Sequence, residues 1–63
     1  MDDFEITWKN IDTNEEFKFT VHSFNKITAA DDATEILTRE GQNEVAEIIT
    51  IKLISFLGNK DND

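Results

Sequence analysis

Between Phe4 and Val21 the chain alternates apolar and polar residues twice over, and this period of two constrains its fold more than any other feature. Phe4, Ile6 and Trp8 fall on one side of a strand spanning 4–9, with Glu5, Thr7 and Lys9 on the other. Phe17, Phe19 and Val21 repeat the pattern against Lys18, Thr20 and His22 over 16–22. The intervening Asn10-Ile11-Asp12-Thr13-Asn14-Glu15 is polar and rich in Asn and Asp, which tolerate turn geometry and bond their own backbone. The two segments predict a β-hairpin. A two-stranded hairpin is marginal in water, so the rest of the chain has to cover and extend it.

After Asn25 the period changes. Ala29, Ala30, Ala33, Ile36 and Leu37 recur at helical spacing, and we expect a helix over 29–40. Thr28 is the expected N-cap, with Asp31 and Asp32 in the first turn where the helix dipole favours anions. Gly41 is the expected left-handed stop after Arg39. The segment 45–57 fits two templates. Val45, Ile48, Ile49, Leu53 and Phe56 make a helical stripe, whereas Ile49, Ile51 and Leu53 make one face of a strand. Four isoleucines and a valine favour the strand, which would complete a three-stranded sheet under one helix. The expected fold is α+β in the order β-β-α-β: hairpin, helix, third antiparallel strand. It forms one domain over 1–63, with 58–63 as a frayed polar tail.

Chain size and charge narrow the function classes. At 63 residues there is little room for a cleft that sets two carboxylates in different, water-excluding environments, which argues against an enzyme. Zero cysteines exclude a disulfide scaffold, a thiolate zinc site and a cysteine nucleophile, and favour a cytoplasmic setting. The stretch Val45–Leu57 is too short and too polar for a membrane span, and the acidic start Met-Asp-Asp-Phe-Glu is unlike a signal peptide. Fourteen acidic residues against six basic ones give a net charge of -8, which repels nucleic acid phosphates and anionic lipid alike. His22 lies on the polar side of its strand with no nucleophile spaced to it. Asp12-Thr13-Asn14-Glu15-Glu16 begins like a calcium loop but has Phe17 at the sixth position and Ser23 at the twelfth, so no metal site or cofactor is expected. Gly41 and Gly58 are too far apart to cradle a phosphate.

Two features point to a binding role. The acids cluster, and Asp31 and Glu35 stand four apart on the expected helix with no base assigned to them. They either solubilise a small protein or, together with Asp32 and the turn acids Asp12, Glu15 and Glu16, form a negative surface that sits where phosphates would sit in a basic groove. The second feature is surplus apolar surface. If Ile49, Ile51 and Leu53 supply the core, then Ile48, Ile54 and Phe56 are left on the other face of the last strand. A homodimer through Ile49, Ile51, Leu53, Ile54 and Phe56, or direct contact with a partner, would bury it. Trp8 and Phe24 are expected in the core.

The stretch Ala46-Glu47-Ile48-Ile49-Thr50-Ile51-Lys52-Leu53, with the order of elements, resembles the small dimeric uracil-DNA glycosylase inhibitors of short-tailed phages. That resemblance implies a non-catalytic DNA mimic acting inside an infected bacterial host, pairing its last strands across a dimer and presenting a helix to the enzyme's DNA groove. Glu35 would take the place of the family's helical glutamate, while Thr34 stands where the family carries an aromatic plug. The hairpin-helix-strand order also resembles small phage inhibitors of bacterial RNA polymerase. Both imply a partner that is a host nucleic-acid-binding protein with a basic groove, such as a glycosylase, a polymerase or a CRISPR or other defence complex. The alternative from a different class is a structural or assembly accessory acting through the apolar C-terminal strand.

Overall fold

The computed structural model describes residues 1–54, which form β1 (Asp2–Asn10), β2 (Glu16–Ser23), α1 (Lys26–Arg39) and β3 (Ala46–Leu53). The order is the expected β-β-α-β, and the three strands make one antiparallel sheet in the order β2-β1-β3. Phe56 and the tail 58–63 lie outside the described residues.

The alternation read from the hairpin survives in the register. Phe4 pairs with Val21, Ile6 with Phe19 and Trp8 with Phe17, so both apolar sets share one face. Phe4, Ile6, Val21, Ala29 and Ala33 form the core, with Phe19, Ile36, Ile48 and Ile51 packed against it. Ile6, in the middle of the central strand, is completely buried. Trp8 is also buried and stacks on Phe17, ring centroids 4.8 Å apart, as suits a cross-strand aromatic pair. The opposite face is polar: Asp3, Glu5, Thr7 and Lys9 of β1 stand across from His22, Thr20, Lys18 and Glu16 of β2.

In β3 the expected face assignment fails. Thr7 pairs with Thr50 but Trp8 pairs with Ile48, so Ile49 is the extra residue of a bulge. The bulge shifts the phase of the strand by one residue. Ile51 and Ile48, three apart, both pack on the core and Ile49 is 44% exposed, whereas Leu53, beyond the bulge and opposite Phe4, keeps the face of Ile51 but is 51% exposed. Ile48 is therefore not surplus surface on a second apolar face, and the core set Ile49, Ile51 and Leu53 reduces to Ile51. The same bulge explains the helical look of the segment, because a spacing of two became a spacing of three.

The helix starts three residues earlier than expected. Asn25, not Thr28, is the N-cap: its side chain accepts from the Thr28 N–H (2.9 Å), and the Thr28 hydroxyl accepts from the Asn25 N–H (3.1 Å). Thr28 also bonds the buried Ser23 hydroxyl, tying the helix to the end of β2. Asp31 and Asp32 consequently lie in the second turn, and no acid occupies the first. At the other end Gly41 does adopt the left-handed conformation (φ 77°), and the Gln42 N–H donates to the Leu37 carbonyl at 2.8 Å. Phe24, expected in the core, is 71% exposed. It lies in the bend just after β2, beyond the last paired residue Ser23, and so takes no part in the alternation that buries Val21 and Ser23.

Ile6→Ala removes the one large side chain at the centre of the core and is expected to cost ~2–5 kcal/mol. Small domains hold only ~3–5 kcal/mol from their cores, so the variant should be largely unfolded in urea titrations followed by Trp8 fluorescence. Ile27→Ala, at a position 76% exposed, should unfold at the same urea concentration as the parent.

Candidate functional site

Helix α1 is built to show one face. Ala29, Ala33 and Leu37 are buried and Ile36 packs on the core, so the opposite stripe is committed to solvent. That stripe reads Ile27, Asp31, Thr34, Glu35 and Thr38, all exposed. Thr34 is thus on the outside. Glu35 is also exposed and lies 3.6 Å from Arg39, one turn further on. It does have a basic partner, which the i,i+4 spacing of Glu and Arg already indicated. Such an exposed pair stabilises little and leaves the carboxylate open to a stronger partner.

Asp32, half-buried, faces the sheet side and helps to line an open groove of about 350 Å³ between α1 and β2. Glu35, Ile36 and Arg39 contribute from the helix, and Thr20, Val21 and His22 from the strand. His22 Nδ1 is 2.7 Å from Asp3 Oδ1, its cross-strand partner in the register. This contact joins residues nineteen positions apart, and only the hairpin register could have revealed it. Ser23 lies next to His22 but on the opposite side of the strand, its hydroxyl taken by Thr28, so the two do not converge on a substrate. The groove offers carboxylates, a guanidinium and an imidazole to a docked side chain.

The turn acids lie elsewhere. The connection between β1 and β2 is closed by Asn10, whose side chain accepts from the Asp12 and Thr13 N–H groups at 2.8 and 3.1 Å, with Asn14 in the left-handed region (φ 67°). Glu15 accepts from the Thr13 hydroxyl at 3.3 Å, and Glu16 pairs across from Lys9, which Glu47 flanks on the other side. Among the described residues no hydrogen bond or ion pair joins Asp12, Glu15 and Glu16 to the helix acids. The candidate set divides into a helix group, Asp31, Asp32 and Glu35, and a turn group at the far end of the hairpin.

The candidate dimer residues divide as well. Strand β3 is an edge strand, with β1 on one side and its other edge unpaired in the sheet. Ile49 and Leu53 are exposed there, Ile51 is half-buried on the core, and the Ile54 N–H donates to the Asp3 carbonyl at 2.9 Å. Ile27 is the residue that sequence reasoning overlooked; together with Phe24, which was expected in the core, it is large, apolar and in solvent at the β2–α1 corner. Among the described residues no three His, Asp or Glu side chains gather in a way that could hold a metal ion, and no helix is long and apolar enough to cross a membrane. No family model, curated protein or solved structure matches the chain.

Neutralising the helix group with Asp31→Asn, Asp32→Asn and Glu35→Gln should leave stability within ~0.5 kcal/mol of the parent, or raise it slightly as the Asp31–Glu35 repulsion disappears. Thermal unfolding by circular dichroism checks this. A marked loss of stability would make these acids part of the fold and not of a binding surface.

Proposed function

We propose that the protein is a non-enzymatic inhibitor that docks the acidic outer face of α1 into the basic groove of a host nucleic-acid-binding protein, occupying the place of DNA. The observation that carries the reading is the placement of Asp31 and Glu35 on the solvent stripe of a helix whose other stripe is fully committed to the core. With a net charge of -8, that face would approach a basic groove with the same long-range attraction as a phosphate backbone, giving fast and salt-sensitive association. The groove between α1 and β2 adds Asp32 beside Glu35, enlarging the set of carboxylates on this side of the molecule. The turn acids Asp12, Glu15 and Glu16 form a second, separate negative patch that a long groove could also engage. Phage inhibitors of host enzymes work in this way, and uracil-DNA glycosylase, bacterial RNA polymerase and defence complexes are the targets to try first.

A second reading is supported by the unpaired edge of β3, where Ile49 and Leu53 are exposed. A copy of this chain, or another strand, could add there by backbone pairing, making the protein a homodimer or an assembly accessory. The two readings differ in their dependence on salt.

Displacement of a fluorescent DNA duplex from uracil-DNA glycosylase and from bacterial RNA polymerase, at low and at high salt, tests the proposal. The protein should displace the duplex from one of them at low salt, and the Asp31→Asn, Asp32→Asn, Glu35→Gln variant should fail to do so. Displacement by that variant as well as by the parent would refute docking through α1. Displacement insensitive to salt and lost on a charged substitution such as Ile49→Lys would favour the β3 edge.

A further inference from the structure

Phe24 and Ile27 are the most exposed large hydrophobic residues among those described, at 71% and 76%. Phe24 stands just outside the N-cap, where an apolar residue often packs back onto the fourth helical position. Here that position is Ala29, already fully buried against the sheet, so Phe24 stays in solvent. Ile27 lies in the first turn, and Ile27, Asp31 and Glu35 follow one another at i, i+4 and i+8 along a single stripe. Ile27 is therefore continuous with the acidic face, and Phe24, exposed as well, stands three residues before it at the N-terminal end of that stripe. Lys26 is one position further round the helix, away from that stripe.

We infer that Phe24 and Ile27 are the anchor of the acidic face, and that their occupant is a protein surface with an apolar pocket bordered by Lys and Arg side chains. The inference rests on the docking role proposed above and adds to it the shape and chemistry of the partner. Interface energy concentrates in large apolar side chains that fill pockets, while the surrounding charges set orientation and rate. A purely basic groove would leave two bulky apolar groups against charge and water. A second copy is disfavoured on this face because it would bring two Asp31–Glu35 stripes together, and an anionic lipid surface is repelled for the same reason.

The test uses three synthetic helical peptides: one amphipathic, of leucine and lysine; one with serine in place of leucine; and one with glutamate in place of lysine. Affinities come from fluorescence anisotropy, and the contact residues from amide chemical shifts of the isotope-labelled protein. The leucine–lysine peptide should bind and shift Phe24, Ile27, Asp31 and Glu35, and the leucine–glutamate peptide should not bind. Phe24→Ala with Ile27→Ala should weaken the leucine–lysine peptide by about tenfold or more while leaving the serine–lysine peptide unchanged, since the lost contact is apolar burial. Unchanged affinity in that double variant overturns the anchor, as do shifts centred on Ile49 and Leu53, or shifts at Phe24 that appear when the protein alone is concentrated. If Asp31→Asn with Glu35→Gln weakens both lysine peptides while the apolar variant weakens neither, acidic docking stands and the anchor falls. If the acid variant binds both as the parent does, acidic docking falls and the basic rim of the partner with it.

Discussion

Everything in this small fold depends on how closely α1 can lie on the central strand. Ala29 and Ala33 are fully buried, and their small side chains let the helix approach Phe4, Ile6 and Val21 without a gap. Larger residues at these two positions would lift the helix and open voids around Ile6, whereas cores of this size have little stability to spare. The rest follows from that seating. With the stripe 29, 33, 36 and 37 committed inward, the stripe 27, 31, 34, 35 and 38 must face outward, and this is where the acids are. The packing that holds the molecule together is thus the same constraint that presents its charge.

The corner between β2 and α1 sets the direction of that presentation. Ser23, buried at the end of β2, bonds Thr28, and Thr28 and Asn25 bond each other reciprocally. Phe24 sits between Ser23 and Asn25, both tied to Thr28, and is left in solvent. Together with Ile27, Phe24 becomes an apolar edge to the acidic stripe. On the proposed docking role, an acidic helix with an apolar end differs from a uniformly charged one in having a reason to stop at a particular place on a partner.

Much of this was legible in the sequence because the hairpin pattern is unbroken: Phe4, Ile6, Trp8, Phe17, Phe19 and Val21 keep a period of two through both strands. The helix core positions were equally plain from their spacing. What misled was local. The bulge at Ile49 changed the phase of β3, so residues three apart came to share a face and the segment resembled a helix. The true cap, Asn25, was masked by Thr28, which has the right chemistry but works as its reciprocal partner at the third helical position. The aromatic character of Phe24 points to the core, although its even position is out of phase with the buried Val21 and Ser23. Which acids face outward could be read from helical spacing. The identity of the partner could not, because charge complementarity specifies a kind of surface and many proteins share it.

The central claim is that the acids of α1 are a binding surface and not solvent dressing. Capture from a bacterial lysate on the immobilised protein at low salt, with stepwise elution at rising salt and mass spectrometry of each step, tests it most directly. The account predicts one nucleic-acid-binding protein, retained at low salt, released as salt screens the contact, and missing when Asp31, Asp32 and Glu35 are replaced by their amides. A partner held equally well by that variant, or one that salt does not release, would contradict it.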